Sequence, residues 1–217
     1  MKYISDYAFT GCSALTSISI PEGVPRIGDS MFSGCNRLEI VNIPDSVTYI
    51  GHNAFNDCKI KSIVISDHVT SIGKYAFQNC RELTDINIPE SVISIGIQAF
   101  NNTGYYNTES NWENGALYIG RHLISVDKDT VSGEFTVKAG TISIAESVFA
   151  YCSELTGISI PESVTIIAER TFSGCDKLRE INYSGTIAEW KAIKKAYMWN
   201  EGISACVVHC TDGDISI

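Results

Sequence analysis

The sequence predicts a β-rich α/β solenoid: a right-handed stack of short parallel strands with an irregular middle unit and a small α/β C-terminal cap. Three observations carry this expectation. A pattern of 22 or 23 residues recurs along most of the 217-residue chain. Branched residues dominate, with 30 Ile and 13 Val against 7 Leu, a balance that favours strands over helices. Within each unit apolar residues alternate as I-x-I, the period of a half-buried strand.

Composition narrows the possibilities further. The chain is 44% hydrophobic and 19% charged, which describes a folded globular protein rather than a disordered one. No apolar run approaches the roughly 18 residues of a membrane helix, and MKYISDYAF is not a signal peptide. The net charge of −9 argues against nucleic acid or an anionic membrane surface as partner.

The repeat is anchored by Phe9, Phe32, Phe55, Phe77, Phe100, Phe149 and Phe172, spaced 23, 23, 22, 23, 49 and 23 residues apart. Three residues after each stands a Cys: Cys12, Cys35, Cys58, Cys80, Cys152 and Cys175, with Thr103 after Phe100. Then comes L-x-x-I-x-I-P, as in Leu38, Val41, Ile43 and Pro44, or Leu155, Ile158, Ile160 and Pro161. The third repeat is one residue short, running Ile60, Ile63, Ile65 with Ser66 in place of Pro. The seventh runs Leu178, Ile181, Tyr183 with Ser184 in that place. A second apolar pair follows, such as Val47/Ile50 or Val69/Ile72, and usually a Gly before the next Phe.

This spacing has a physical reading. I-x-I puts two side chains on one face of a short strand, leaving Ser or Asn between them in solvent. Pro cannot donate to a ladder, so it ends the strand. One unit cannot cover its own apolar face, so units must stack, with equivalent strands parallel and about 4.8 Å apart. Columns of Phe, Ile, Leu and Val then fill the inside, each large side chain contributing roughly 1.5–3 kcal/mol on burial.

The units resemble the BspA-like leucine-rich repeat family, whose unit reads approximately L-x-x-I-x-I-P-x-x-V-x-x-I-G-x-x-A-F-x-x-C. The likeness covers about residues 1–183, with one irregular unit over 101–148, and residues 184–217 look like that family's C-terminal cap, part of the same domain. It implies a cell-surface or secreted protein, chiefly of oral and gut bacteria and some parasitic protists, acting in adhesion to host proteins or other cells. Ile4 matches Ile27 and Ile50, while Met1 occupies the place of Val24 and Val47. The chain therefore begins mid-unit and is expected to be a piece of a longer protein.

Between the fifth and sixth Phe the pattern lapses. NNTGYYNTESNWENG reads as a long polar loop, and ALYIGRHLISV and EFTVKAGTISI read as strands joined by turns. They suggest one or two distorted rungs with an inserted hairpin. At the C-terminus, Thr186 and Glu189 form a capping box that starts a helix expected to reach about Ala196. Ile187, Trp190, Ile193 and Tyr197 lie on one stripe that should cover the last rung, with Lys191, Lys194 and Lys195 in water. ACVVHC and DISI flank a hairpin turn at Thr211-Asp212-Gly213.

Residues that could carry chemistry are few. Six cysteines share one repeat position and should form a buried, reduced column, since parallel rungs point their Cβ atoms the same way and leave them too far apart to bridge. Cys58→Ser would then cost about 1–3 kcal/mol by burying a hydroxyl without a reliable partner. Cys206, His209 and Cys210 supply too few ligands for zinc. Glu22, Asp45, Asp67, Glu90 and Glu162 follow the strand ends as an acidic stripe, which could collect calcium or a basic partner, or be solvated turn residues. His52, His68, His122 and His209 share no repeat position, and no G-x-S-x-G, phosphate loop, H-E-x-x-H or Rossmann fingerprint occurs.

The expectation is a non-enzymatic protein-binding module with no catalytic residue, metal or cofactor, acting as a monomer at the cell surface or outside it. A structural spacer of a larger surface protein is the alternative. The partner is expected to be a host or neighbouring-cell surface protein, with no nucleic acid and no membrane insertion. It would dock on the strand row around Ile40, Asn42, Val64 and Asn87, since leucine-rich repeats in general bind through that row. The loop with Tyr105, Tyr106 and Trp112 offers larger anchors, either displayed or packed down over the distorted rung.

Overall fold

In the computed structural model, which describes residues 3–203 and 205–217, the chain divides into two compact units, Met1–Trp112 and Glu113–Ile217. Met1, aligned with Val24 by the repeat register, lies outside the described residues.

Each repeat of the first unit supplies two short strands. The I-x-I segments form β1 (Ser17–Ser19), β3 (Ile40–Asn42), β5 (Ser62–Val64) and β7 (Asp85–Asn87). The second apolar segments form β2 (Arg26–Ile27), β4 (Tyr49–Ile50), β6 (Ser71–Ile72) and β8 (Ser94–Ile95). This second row is unbroken and parallel, with Ile27, Ile50, Ile72 and Ile95 in register. The first row is also parallel but comes as two separate pairs, β1–β3 and β5–β7.

The break falls on one side of the short third repeat. Its neighbours turn into the strand through the bonds Leu38 N–H to Cys35 O and Leu83 N–H to Cys80 O, both 2.9 Å. With one residue fewer, Ile60 is too close in sequence to Cys58 for such a turn, yet β5 still pairs with β7 in register, Ile63 on Ile86.

The core of this unit is a stack of like upon like. Successive Phe rings from Phe9 to Phe100 sit 5.3–5.4 Å apart and within 7–13° of parallel. Offset-stacked pairs of this kind add roughly 0.5–1.5 kcal/mol each beyond area burial. Backbone amides also run from rung to rung, as in Phe32 N–H to Ala54 O at 2.8 Å. Close approach explains the recurring glycine: a Cβ at Gly73 or Gly96 would lie 2.6 or 2.5 Å from the backbone of the preceding rung. A short 3₁₀ turn, Glu109–Asn111, follows, and β9 (Trp112–Glu113) spans the junction of the two units.

The second unit opens with the expected hairpin, β10 (Ala116–Ile119) antiparallel to β11 (His122–Val126). Parallel stacking then resumes. In one row β11 is followed by β13 (Ser143–Ile144) and β15 (Ile166–Ile167). In the other, β12 (Gly133–Thr136), β14 (Leu155–Ile160) and β16 (Glu180–Tyr183) align Phe135, Ile158 and Ile181.

The C-terminus differs from the expected cap. The helix α1 (Ile187–Ala192) has the capping box between Thr186 and Glu189 but stops at Ala192. Ile193 turns extended, and Lys194–Lys195 become β17, paired with β15. The chain then makes one more rung, with β18 (Val207–Cys210) on β16 and an antiparallel edge strand β19 (Gly213–Ser216). Lys195 aligns with Ile167, and the Phe172 amide bonds to Trp199 O at 2.9 Å, as earlier Phe amides bond to the rung after them.

Two expectations about this segment are therefore corrected. Tyr197 is 74% exposed instead of covering the stack. Lys195 is half-buried, its ammonium 4.5 Å from the Trp190 ring centroid and donating to the carbonyls of Trp190 and Ile193. Strand pairing wins over helix continuation because β15 offers an open ladder, and a helix end supplies no comparable partner.

Candidate protein-binding face

The solvent side of β1, β3, β5 and β7 carries Ser17, Ser19, Ile40, Asn42, Ser62, Val64, Asp85 and Asn87, all exposed, while Ile63 and Ile86 point inward. Ile40 is 67% and Val64 80% exposed, unusual for large aliphatic residues otherwise drawn into the columns. Strand pleat puts them outside, since each precedes an inward residue, Val41 or Ile65.

These two residues flank the break between β3 and β5. The break is a shallow depression of about 300 Å3, lined by Ile40, Asn42, Ser62 and Val64, with Glu39 and Asp45 at its margins. Side chains tie its ends: Lys61 Nζ to Glu39 at 3.3 Å, and Ser66 Oγ donating to Asp45 Oδ1 at 2.8 Å. Asn87 lies on β7, across β5 from the depression, so the structure places Ile40, Asn42 and Val64 together and Asn87 beside them.

The corresponding face in the second unit is less open than that of the first. Gly157 is buried and Ser159 half-buried, with Glu134 packed against Gly157, while Glu180 and Asn182 are exposed. The aromatic loop is tied down on itself: the Trp112 indole N–H donates to Tyr106 O at 2.7 Å, and the two rings meet edge-on at 5.1 Å. Tyr105, Tyr106 and Trp112 are all half-buried.

The cysteine column lies inside, with one exception. Cys35, Cys58, Cys80, Cys152 and Cys175 are buried, whereas Cys12 is exposed, because among the described residues no rung covers that side of it. The described cysteines are all free thiols. The sequence offered no sign of what the column does: four of its thiols reach back to the Phe carbonyl of the preceding rung. Cys35, Cys58, Cys80 and Cys175 donate to Phe9, Phe32, Phe55 and Phe149 O at 3.0–3.2 Å. Cys58 thus has a partner that a serine hydroxyl could inherit, which overturns the reason given for a large cost of Cys58→Ser. Burial pushes the Cys80 and Cys175 thiols up to about 12 and Cys152 up to about 11, so the column is protonated and unreactive at neutral pH.

The stripe acids Glu22, Asp45, Asp67, Glu90 and Glu162 are exposed. Among the described residues no group of three or more His, Cys, Asp and Glu side chains could hold a metal ion. The histidines serve locally: His52 Nδ1 accepts the Lys74 amide, His122 is buried against Ser143, and His209 meets Asp214. No helix is long and apolar enough to cross a membrane among the described residues.

Stacked parallel rungs of this length, with Ile-rich strands and a Phe column, define a repeat-protein solenoid. The profile of the BspA type Leucine rich repeat region matches residues 2–124 and 130–199 in 6 copies. The chain belongs to that family.

Solved structures similar to it include a leucine rich cell surface protein from Faecalibacterium prausnitzii A2-165. That likeness has 26% identity and a TM-score of 0.33, covering 88% of this chain and 65% of that one. The leucine rich repeat protein of T. pallidum is also similar, with 25% identity and a TM-score of 0.44, covering 82% of this chain and 72% of that one. The chain thus spans just under two thirds of the first of these proteins. No curated protein matches it.

Proposed function

We propose that this chain is a non-enzymatic protein-binding module of a bacterial cell-surface or secreted protein, adhering to a host or neighbouring-cell protein. Its contact surface is the strand row of the first unit around Ile40, Asn42, Val64 and Asn87. The observation that carries this is the pair of large aliphatic side chains, Ile40 and Val64, held in solvent by a backbone that has inward positions for such residues. Family membership supports an interaction or scaffold role. The alternative, a spacer that holds other domains away from a surface, draws support from the small side chains elsewhere on the row, such as Ser17, Ser19 and Ser62.

The test is surface-plasmon binding of the 217-residue chain to immobilised host extracellular-matrix proteins. Asn42→Arg and Val64→Arg should each weaken a partner found this way without lowering the melting temperature. Binding that ignores both changes would remove the row as the contact surface.

A further inference from the structure

We propose that Asn114 is a self-modification site, losing ammonia to attack by the backbone nitrogen of Gly115 and ending as aspartate and isoaspartate. The fold itself selects this pair. Asn114 and Gly115 are the two residues between β9 and β10, neighbouring strands of one sheet. Both have positive φ, 51° and 76°, the backbone of a two-residue hairpin turn that asparagine followed by glycine suits best. A side chain at 115 is disfavoured twice, by that φ and by Thr130 Oγ1, which its Cβ would meet. The pair that makes the turn is also the pair most prone to cyclise, and no other asparagine of the chain precedes a glycine.

The reacting groups are accessible. Asn114 is exposed, and among the described residues neither its side-chain amide nor the Gly115 N–H has a hydrogen-bond partner. Gly115, without a Cβ, does not hinder ring closure. Its nitrogen gives up its proton to water or hydroxide and bonds to Asn114 Cγ. The Cγ–Nδ2 bond then breaks, Nδ2 takes a proton from water, and ammonia leaves a five-membered succinimide. Water opens the ring at one carbonyl to give aspartate or at the other to give isoaspartate.

The fold slows this step and makes its products unequal. The left-handed backbone of Asn114 must relax before the ring closes. Two anchors oppose that: Gly115 O accepts the Asp127 N–H at 2.7 Å, and Lys138 Nζ holds Glu113 at 2.8 Å. Aspartate tolerates positive φ much as asparagine does, so it keeps the turn. Isoaspartate routes the main chain through Cβ, adding an atom to the turn and shifting β10 against β9.

The experiment incubates the full chain in mildly alkaline buffer at body temperature, native and in urea. Peptide mapping with isoaspartyl-methyltransferase labelling then follows each asparagine. In the native chain Asn114 should convert first, about tenfold or more faster than any other asparagine, slower than in urea, and faster as pH rises. The isoaspartate fraction, separated by ion exchange, should melt below the parent, while freshly purified Asn114→Asp should melt like it. An intact Asn114 in the native chain after the urea sample has converted, or another asparagine converting first, would overturn the proposal. An isoaspartate fraction as stable as the parent would overturn the consequence drawn for the turn.

Discussion

The unit of residues 1–112 repeats one chemistry, while the unit of residues 113–217 repeats one backbone with changing chemistry. In the first, Phe lies on Phe through five rungs, thiols bond to Phe carbonyls, and glycine lets the turns approach. In the second, the Phe149–Phe172 stack and the Cys175 bond to Phe149 O persist, but Phe135 meets Phe149 edge-on, Ala145 and Ala168 stand at the glycine place, and the last rung aligns Lys195 with Ile167. The ladders persist all the same. A rung therefore needs its backbone partners and some apolar cover at each column, whereas residue identity matters most where identical side chains stack.

The largest expected effects bear on that contrast. Phe55→Ala removes a fully buried ring stacked on both sides and should cost about 3–5 kcal/mol in denaturant unfolding. Phe172→Ala, stacked on Phe149 but edge-on to Trp199, should fall toward the lower end of that range. A smaller loss for Phe55 than for Phe172 would break the comparison. We also propose that the chain unfolds in a single transition, so both variants should shift the same calorimetric peak; two separate peaks, each moved by one variant, would refute this.

Next comes the terminal rung. Lys195→Ala deletes an aliphatic stem, two carbonyl partners and a cation over Trp190, and should cost about 1–3 kcal/mol by thermal or chemical melting. No measurable change would mean that this rung hangs on β18 alone. Trp112→Ala should cost a similar or smaller amount, because the indole is half-buried and tied to Tyr106.

The thiol column gives the smallest single-residue effect and a pH signature. Cys58→Ser should cost about 1 kcal/mol, since its hydroxyl inherits the Phe32 carbonyl. A loss above about 3 kcal/mol would show that the bond cannot form at the shorter reach of oxygen. An unfolded thiol ionises near ~8.5, while burial raises Cys80 and Cys175 to about 12. Between those values the folded state holds more protons than the unfolded one. The thiol contribution is therefore fully present below about pH 8.5 and lost as pH rises toward 12. Melting temperatures should fall over that window and flatten in a Cys80→Ala, Cys175→Ala double variant; an unchanged profile would place the column's ionisation elsewhere.

Residue order alone determined the repeat, the inward columns, the strand positions and the outward places of Ile40, Asn42, Val64 and Asn87, because stacking translates a linear period into a spatial one. It also contained the one-residue deficit of the third repeat, but not its consequence. The third rung keeps its ladder to β7 and lacks one to β3, while the second row runs through, and residue order did not foretell that asymmetry. The thiol-to-carbonyl bonds depend likewise on the distance between rungs. The last rung was illegible for a related reason: its columns are filled by Lys195, Trp199 and Cys206, and only the open ladder of β15, present once the preceding rungs have stacked, turns Lys194 and Lys195 away from the helix their local pattern favours.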